Sequence, residues 1–200
     1  MTLKHVRPLL LGAALLVLFA CNKATNQNTA AADNSVAATN EAATVSNDPV
    51  QSAESAAPAS IAHAASIMTM DANGNATEVR KGSNGWTCIP DSPATPGPDP
   101  MCADGNAMKW ADAWIHHKPP PDVVGVMYML EGGTDASNTD PYATKPTAEN
   151  DWVKTGPHVM VVGSKQVLAG YPSGKSPDTS APYVMWAGTP YAHLMVPIGK

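Results

Sequence analysis

The sequence has no basic excess. Its 12 lysines and arginines stand against 17 aspartates and glutamates, a formal charge of −5 at pH 7. Nucleic-acid binding needs a basic patch facing phosphate, and electrostatic attachment to anionic lipid needs a polybasic run, so neither partner is expected. Long hydrophobic runs are missing too. The stretch from Leu9 to Ala20 is uncharged for only twelve residues. As a helix it would span about 18 Å, short of a hydrocarbon core of about 30 Å. Cysteine is scarce, at three residues, and none lies in a C-x-x-C spacing. Covalent c-type haem attachment therefore lacks its motif, as do the common zinc sites. There is no H-E-x-x-H and no G-x-S-x-G, the patterns that would announce a zinc protease or a serine hydrolase. Gly174-Lys175-Ser176 matches only the end of a phosphate loop. Ala169 stands where the first glycine belongs, and Pro172 and Pro177 break the strand–loop–helix context. No reaction and no cofactor follow from these residues.

What is present begins with an address. Lys4 and Arg7 form a positive head, the apolar run follows, and Ala20 precedes Cys21. A charged head, a short apolar stretch and a small residue at the cut describe a secretory signal. Leu18-Phe19-Ala20-Cys21 resembles the lipobox of bacterial lipoproteins. The resemblance implies cleavage before Cys21, a diacylglycerol on its thiol and acylation of the new amine, so that acyl chains attach the protein to a membrane. In enteric members an aspartate after the cysteine favours the inner membrane. Asn22 stands there instead, which implies outer-membrane sorting. Without the lipid, the protein would be soluble in the periplasm or secreted.

Residues 22–59 contain no aromatic, Leu, Ile or Met. Such a segment buries too little apolar surface to offset its ordering entropy. The expected organisation is a signal peptide over 1–20, a disordered tether over 21–59 with a root-mean-square span of roughly 34 Å, and a globular domain over 60–200. In an exported chain Cys88 and Cys102 are expected to form a disulfide, worth about 3 kcal/mol in the chain-entropy model.

Within the domain, residues 66–70 and 76–80 read as a hairpin with Asn73-Gly74 at its tip. A strand through Cys88 runs into Ile89–Cys102, where Pro90, Pro93, Pro96, Pro98 and Pro100 forbid helix. That loop is expected to close at the disulfide. Residues 104–117 read as a helix capped by Asp104. Ala107, Trp110, Ala111 and Trp114 make one apolar face, and Pro119-Pro120-Pro121 stops it. Val123–Leu130 reads as a central strand buried on both faces. Strands are expected at 156–163, 166–169, 183–187 and 191–196. No βαβ alternation is sustained, so the fold class is α+β, a mainly antiparallel sheet with one main helix on it.

From Gly85 to Pro197 the chain resembles a group of exported proteobacterial proteins. The matching pieces are Gly85-Trp86-Thr87-Cys88, Pro100-Met101-Cys102, Ser137-Asn138-Thr139-Asp140-Pro141, Gly156-Pro157-His158-Val159-Met160 and Trp186-Ala187-Gly188-Thr189-Pro190-Tyr191. The group carries no established activity, so the resemblance implies no functional residue.

Two chemistries have residues to support them. If the strands through His158 and His193 are neighbours, both imidazoles, the Tyr191 hydroxyl, the Asn138 amide and the Asp140 carboxylate would converge at one end of the sheet. A concave polar cluster near tryptophan fits a small-ligand pocket, and a histidine there would also serve a hydrolase as base. The second chemistry is copper. Nine methionines follow Met1, with Met68/Met70 and Met127/Met129 each spaced by two. Thioethers suit Cu(I) and imidazole suits either copper state, although methionine also fills gaps in ordinary cores. The reading is a non-catalytic binding module for a small ligand or an envelope partner, with a copper-binding protein and an envelope hydrolase as the alternatives.

Overall fold

The computed structural model describes residues 48–71 and 75–199. The signal peptide, Cys21, most of the expected tether and the tip of the first hairpin lie outside the described residues. The order of elements is α1 (Pro49–Ser55), α2 (Ala59–Ala62), β1 (Ser66–Met70), β2 (Ala76–Arg80), β3 (Trp86–Ile89), β4 (Met101–Asp104), α3 (Gly105–Ile115), β5 (Gly125–Met129), β6 (Ala136–Ser137), β7 (Trp152–Val153), β8 (His158–Val162), β9 (Tyr183–Met185) and β10 (His193–Pro197). The main sheet has eight strands in the order β2-β1-β3-β4-β5-β8-β10-β9, and β6 pairs with β7 beside it. Every pair in the main sheet is antiparallel except β1–β3. The α+β class with a mainly antiparallel sheet is thus the observed one.

Helix is present within the stretch that composition assigns to the tether. The tether reading ran to residue 59, but α1 begins at Pro49. Asp48 caps it by accepting from the Val50 N–H at 2.9 Å, and Pro49 occupies its first turn. Ala53, Ala56, Ala57, Ala62 and Ala65 are buried with Ile67 and the Cys88–Cys102 disulfide in one cluster. Small side chains let α1 lie close against the sheet, and that closeness substitutes for large apolar groups. Arg80 ties β2 to this layer. Its guanidinium pairs with Glu54 at 2.5 Å and donates to the Ala62 carbonyl at 2.7 Å.

The opposite face carries α3. The Asp104 Oδ1 accepts from the Asn106 and Ala107 N–H groups at 2.9 and 2.8 Å, and its Oδ2 accepts from the Val126 N–H at 3.0 Å. One carboxylate therefore caps the helix and pins β5 beneath it. A side chain at Gly125 would run into the Ala107 backbone, so β5 requires glycine there. Ala107, Trp110 and Ala113 are the buried residues of α3, while Ala111 and Trp114 are partly covered.

Three strand expectations need correction. The strand expected from Val123 starts at Gly125, and Val123 and Val124 are exposed, because the chain is still leaving the proline stop. Residues 165–168 form a 3-10 turn rather than a strand. Tyr191 precedes β10 rather than belonging to it. The proline-rich loop closes at directly paired Cys88 and Cys102. Inside it, the Asp91 carboxylate accepts from the Asp99 N–H at 2.8 Å.

Candidate functional site

His158 and His193 sit on neighbouring strands, as the sequence reading required. The register pairs His158 with Pro197 and Met160 with Met195. With side chains alternating by two, His158, His193 and both methionines share the α3 face. The two histidines are nevertheless four positions apart, roughly 13 Å along the ladder. A charge on His158 still acts on His193, but only His158 lines a surface pocket.

The other expected members are committed elsewhere. The Tyr191 hydroxyl donates to the Lys118 carbonyl at 3.1 Å, just beyond the end of α3. The Asn138 amide donates to the Gly174 and Lys175 carbonyls at 3.1 and 2.8 Å, holding that loop down. Asp140 is exposed and its carboxylate accepts from the Tyr142 N–H at 2.9 Å, which shapes a turn. The five-residue convergence is therefore corrected to two separate histidine environments.

His193 lies in an aromatic core and is 1% exposed. Its ring meets Trp110 and Trp186 edge-on, with centroids 5.3 and 4.8 Å away. Trp110 stacks on Trp186 at 6.2 Å. The His193 Nδ1 lies 3.0 Å from the Tyr191 carbonyl. A carbonyl only accepts, so Nδ1 carries the proton and Nε2 keeps its lone pair. That Nε2 has no hydrogen-bond partner, and neither have the Trp110 Nε1 and the Asn138 Oδ1. Burial pushes the His193 pKa down to about 4, opposed by the bond to Tyr191 and reinforced by the charge of His158.

His158 has the same internal arrangement in a different setting. Its Nδ1 donates to the Gly156 carbonyl at 2.7 Å, which again leaves Nε2 unprotonated. Burial lowers its pKa, so the ring is neutral at pH 7. Unlike His193, it lines a surface pocket of about 240 Å³, with Lys154, Thr155, Ser180, Tyr183 and Met195. Burial raises the Tyr183 pKa to about 12, so its hydroxyl stays protonated. Met129 pairs directly with His158 across β5 and β8. Their tips close on Gly133: a Cβ there would stand 3.3 Å from the His158 Cε1 and 3.5 Å from the Met129 methyl. A second, polar groove of about 410 Å³ runs between Asp140, Tyr142, Lys145 and Glu149.

Sequence reasoning missed Tyr183, Lys154 and Met195 as neighbours of His158. A signal was available. Three strands each carry a His or Met pair spaced by two: Met127/Met129, His158/Met160 and His193/Met195. Period-two spacing in adjacent strands puts all six on one face once the register is known.

An eight-stranded α+β sheet with a neutral imidazole in the wall of a small pocket is as far as fold and site define the class. No protein-family model, no curated protein and no solved structure matches this chain.

Proposed function

We propose that this protein is a lipid-anchored envelope protein whose folded domain is a non-catalytic binding module. The pocket at His158 is where it takes a small ligand. The observation that carries this reading is the chemistry of the pocket walls. The neutral imidazole offers an acceptor at Nε2, the protonated Tyr183 offers a hydroxyl, and Pro157, Met195, Pro197 and Ile198 supply apolar wall between the polar residues of the lining. Convergent polar groups set beside apolar wall suit capture of a small ligand. A hydrolase with both imidazoles in one cleft is disfavoured by their four-position separation. Anchoring rests on the lipobox-like residues before Cys21, and outer-membrane placement rests on Asn22.

The binding reading is tested with the full chain in a fragment screen by thermal shift and NMR. Compounds that bind are expected to move signals of His158 and Tyr183. Ser180→Trp, an exposed position at the rim, is expected to abolish those shifts without unfolding the protein. Binding that ignores the Trp would refute the assignment. For the anchor, Cys21→Ala is expected to release the protein from the membrane fraction. Mass spectrometry showing an unmodified Cys21 in the native protein would defeat it.

A further inference from the structure

We infer that a monovalent copper ion binds at the inner wall of the His158 pocket, held by the His158 Nε2 and the Met195 thioether, which line the pocket, and by the thioether of Met129, the cross-strand partner of His158. This rests on the reading of that pocket as a binding site and names its ligand.

The first support is where the methionines are. Met127, Met160 and Met195 form one row across β5, β8 and β10, and Met129 and His158 form the next. Met185 pairs with His193 on the same face, and Met101 and Met108 pack against the same cluster. Across β5, β8 and β10 the thioethers thus lie on the face that also holds both buried histidines, while the opposite face of these three strands carries Val126, Tyr128, Val159, Val161, Leu194 and Val196. Gap-filling would not require that segregation.

The second support is the state of His158. A metal-binding imidazole needs a free nitrogen lone pair and a fixed ring, and its second N–H is usually tied to a carbonyl or carboxylate. The Gly156 carbonyl does this at 2.7 Å. Met129 is the direct cross-strand partner of His158, so the two β-carbons lie about 5 Å apart. Met195 is the diagonal neighbour and lines the same pocket. The imidazole and the Met129 methyl approach one point on the chain at Gly133, where a Cβ would stand 2.8 Å from the Thr155 hydroxyl, 3.3 Å from the His158 Cε1 and 3.5 Å from the Met129 methyl.

The third support is the donor set. Thioether sulfur and neutral imidazole are soft or borderline ligands, and they select Cu(I) over calcium or magnesium, which need several oxygens. Among the described residues no group of three His, Cys, Asp or Glu side chains is placed to hold a metal. A site for a harder divalent ion would need such a group. The cysteine sulfurs of the domain are tied up in the disulfide, which leaves the methionines as the soft donors.

The test uses the full untagged chain under anaerobic conditions, with Cu(I) titrated against a chromophoric Cu(I) chelator. One Cu(I) per chain is expected to leave the chelator. Met129→Leu and Met195→Leu keep the volume and the fold, and each is expected to weaken binding by more than about ten-fold. Met68→Leu, on β1, is expected to leave it unchanged. With Ag(I) as a redox-inert probe, the methyl NMR signals of Met129 and Met195 are expected to shift most. Failure to withdraw Cu(I) from the chelator would overturn the inference. So would equal affinity in the Met129→Leu/Met195→Leu double variant. If copper is refused while a fragment still shifts His158 and is blocked by Ser180→Trp, the metal assignment falls and the binding-module reading stands. If both fail, both fall.

Discussion

The Cys102 sulfur lies 3.6 Å from the Ala53 carbonyl oxygen, across a sequence separation of 49 residues. A disulfide sulfur carries no proton, so this is a packing contact rather than a hydrogen bond. It joins the two features that read as unrelated in the sequence, an alanine-rich stretch and a cross-link. The cross-link needs a lid because Cys88 and Cys102 pair on the face away from α3, and α1 supplies it. The Leu130 N–H also donates to the Ala56 carbonyl at 3.0 Å, fixing the end of α1 to the end of β5.

Ala53 is completely buried, so enlarging it should be felt. Ala53→Val is expected to destabilise the protein by about 1–3 kcal/mol through overpacking. Ser60→Ala, at an exposed position of α2, should change stability by less than about 0.5 kcal/mol. Urea denaturation of both variants decides the matter. If Ala53→Val were neutral, residues 49–57 would be spacer after all.

Removing the cross-link is the second case. The chain-entropy model gives about 3 kcal/mol for a loop of this length. Cys88→Ala with Cys102→Ala is expected to lose about that much. In the folded protein, mild reductant should leave the bond intact, because both sulfurs are fully buried. Thiol labelling with and without urea measures this. Rapid labelling without urea would mean that α1 does not cover the pair.

Much of the fold was legible because its signals are local. Asp104 before an apolar 3.6-residue period marked α3, five prolines marked the loop, and alternating or continuous apolar runs marked β5, β8 and β10. α1 was illegible for a physical reason. Alanine carries little hydrophobic signal, and its burial depends on what sits opposite, which is a tertiary fact. The site was half legible for a related reason. Sequence spacing showed that His158 and His193 belong to strands, and period two gave the residues that share a face with each of them. The register that separates them by four positions is set by pairing, which no single strand records. Tyr191, Asn138 and Asp140 were polar and near the right strands, yet each satisfies a backbone group of its own. Backbone donors and acceptors left by irregular loops take up such side chains before any ligand does.

Asp104 serves two elements with one carboxylate, so its loss should exceed that of an ordinary cap. Removing a cap costs about 1 kcal/mol, and here the Val126 N–H loses its acceptor as well. Asp104→Ala is expected to lower stability by about 2 kcal/mol or more. Asp104→Asn keeps one acceptor oxygen and is expected to restore about half. Equal losses in the two variants would show that only one of the two bonds matters.

His193 makes a statement about pH. Its folded pKa of about 4 lies below the usual 6.5 because burial disfavours the charged ring. Above 6.5 both folded and unfolded states are neutral there, and the full stability is present. As pH falls below 6.5 the unfolded chain takes up a proton that the folded ring refuses until about 4. Stability is therefore lost through that window, by an amount of order 3 kcal/mol for this group. His158 shifts in the same direction and adds to the loss. His193→Phe keeps a ring among Trp110 and Trp186 and removes the unpartnered Nε2, but it also takes the donor from the Tyr191 carbonyl, so it should cost no more than about 1–3 kcal/mol at pH 7. Its melting temperature should fall less steeply between pH 6.5 and 4 than that of the wild type. An unchanged slope would mean that the buried imidazole is already protonated in the folded protein, with a counter-charge beside it.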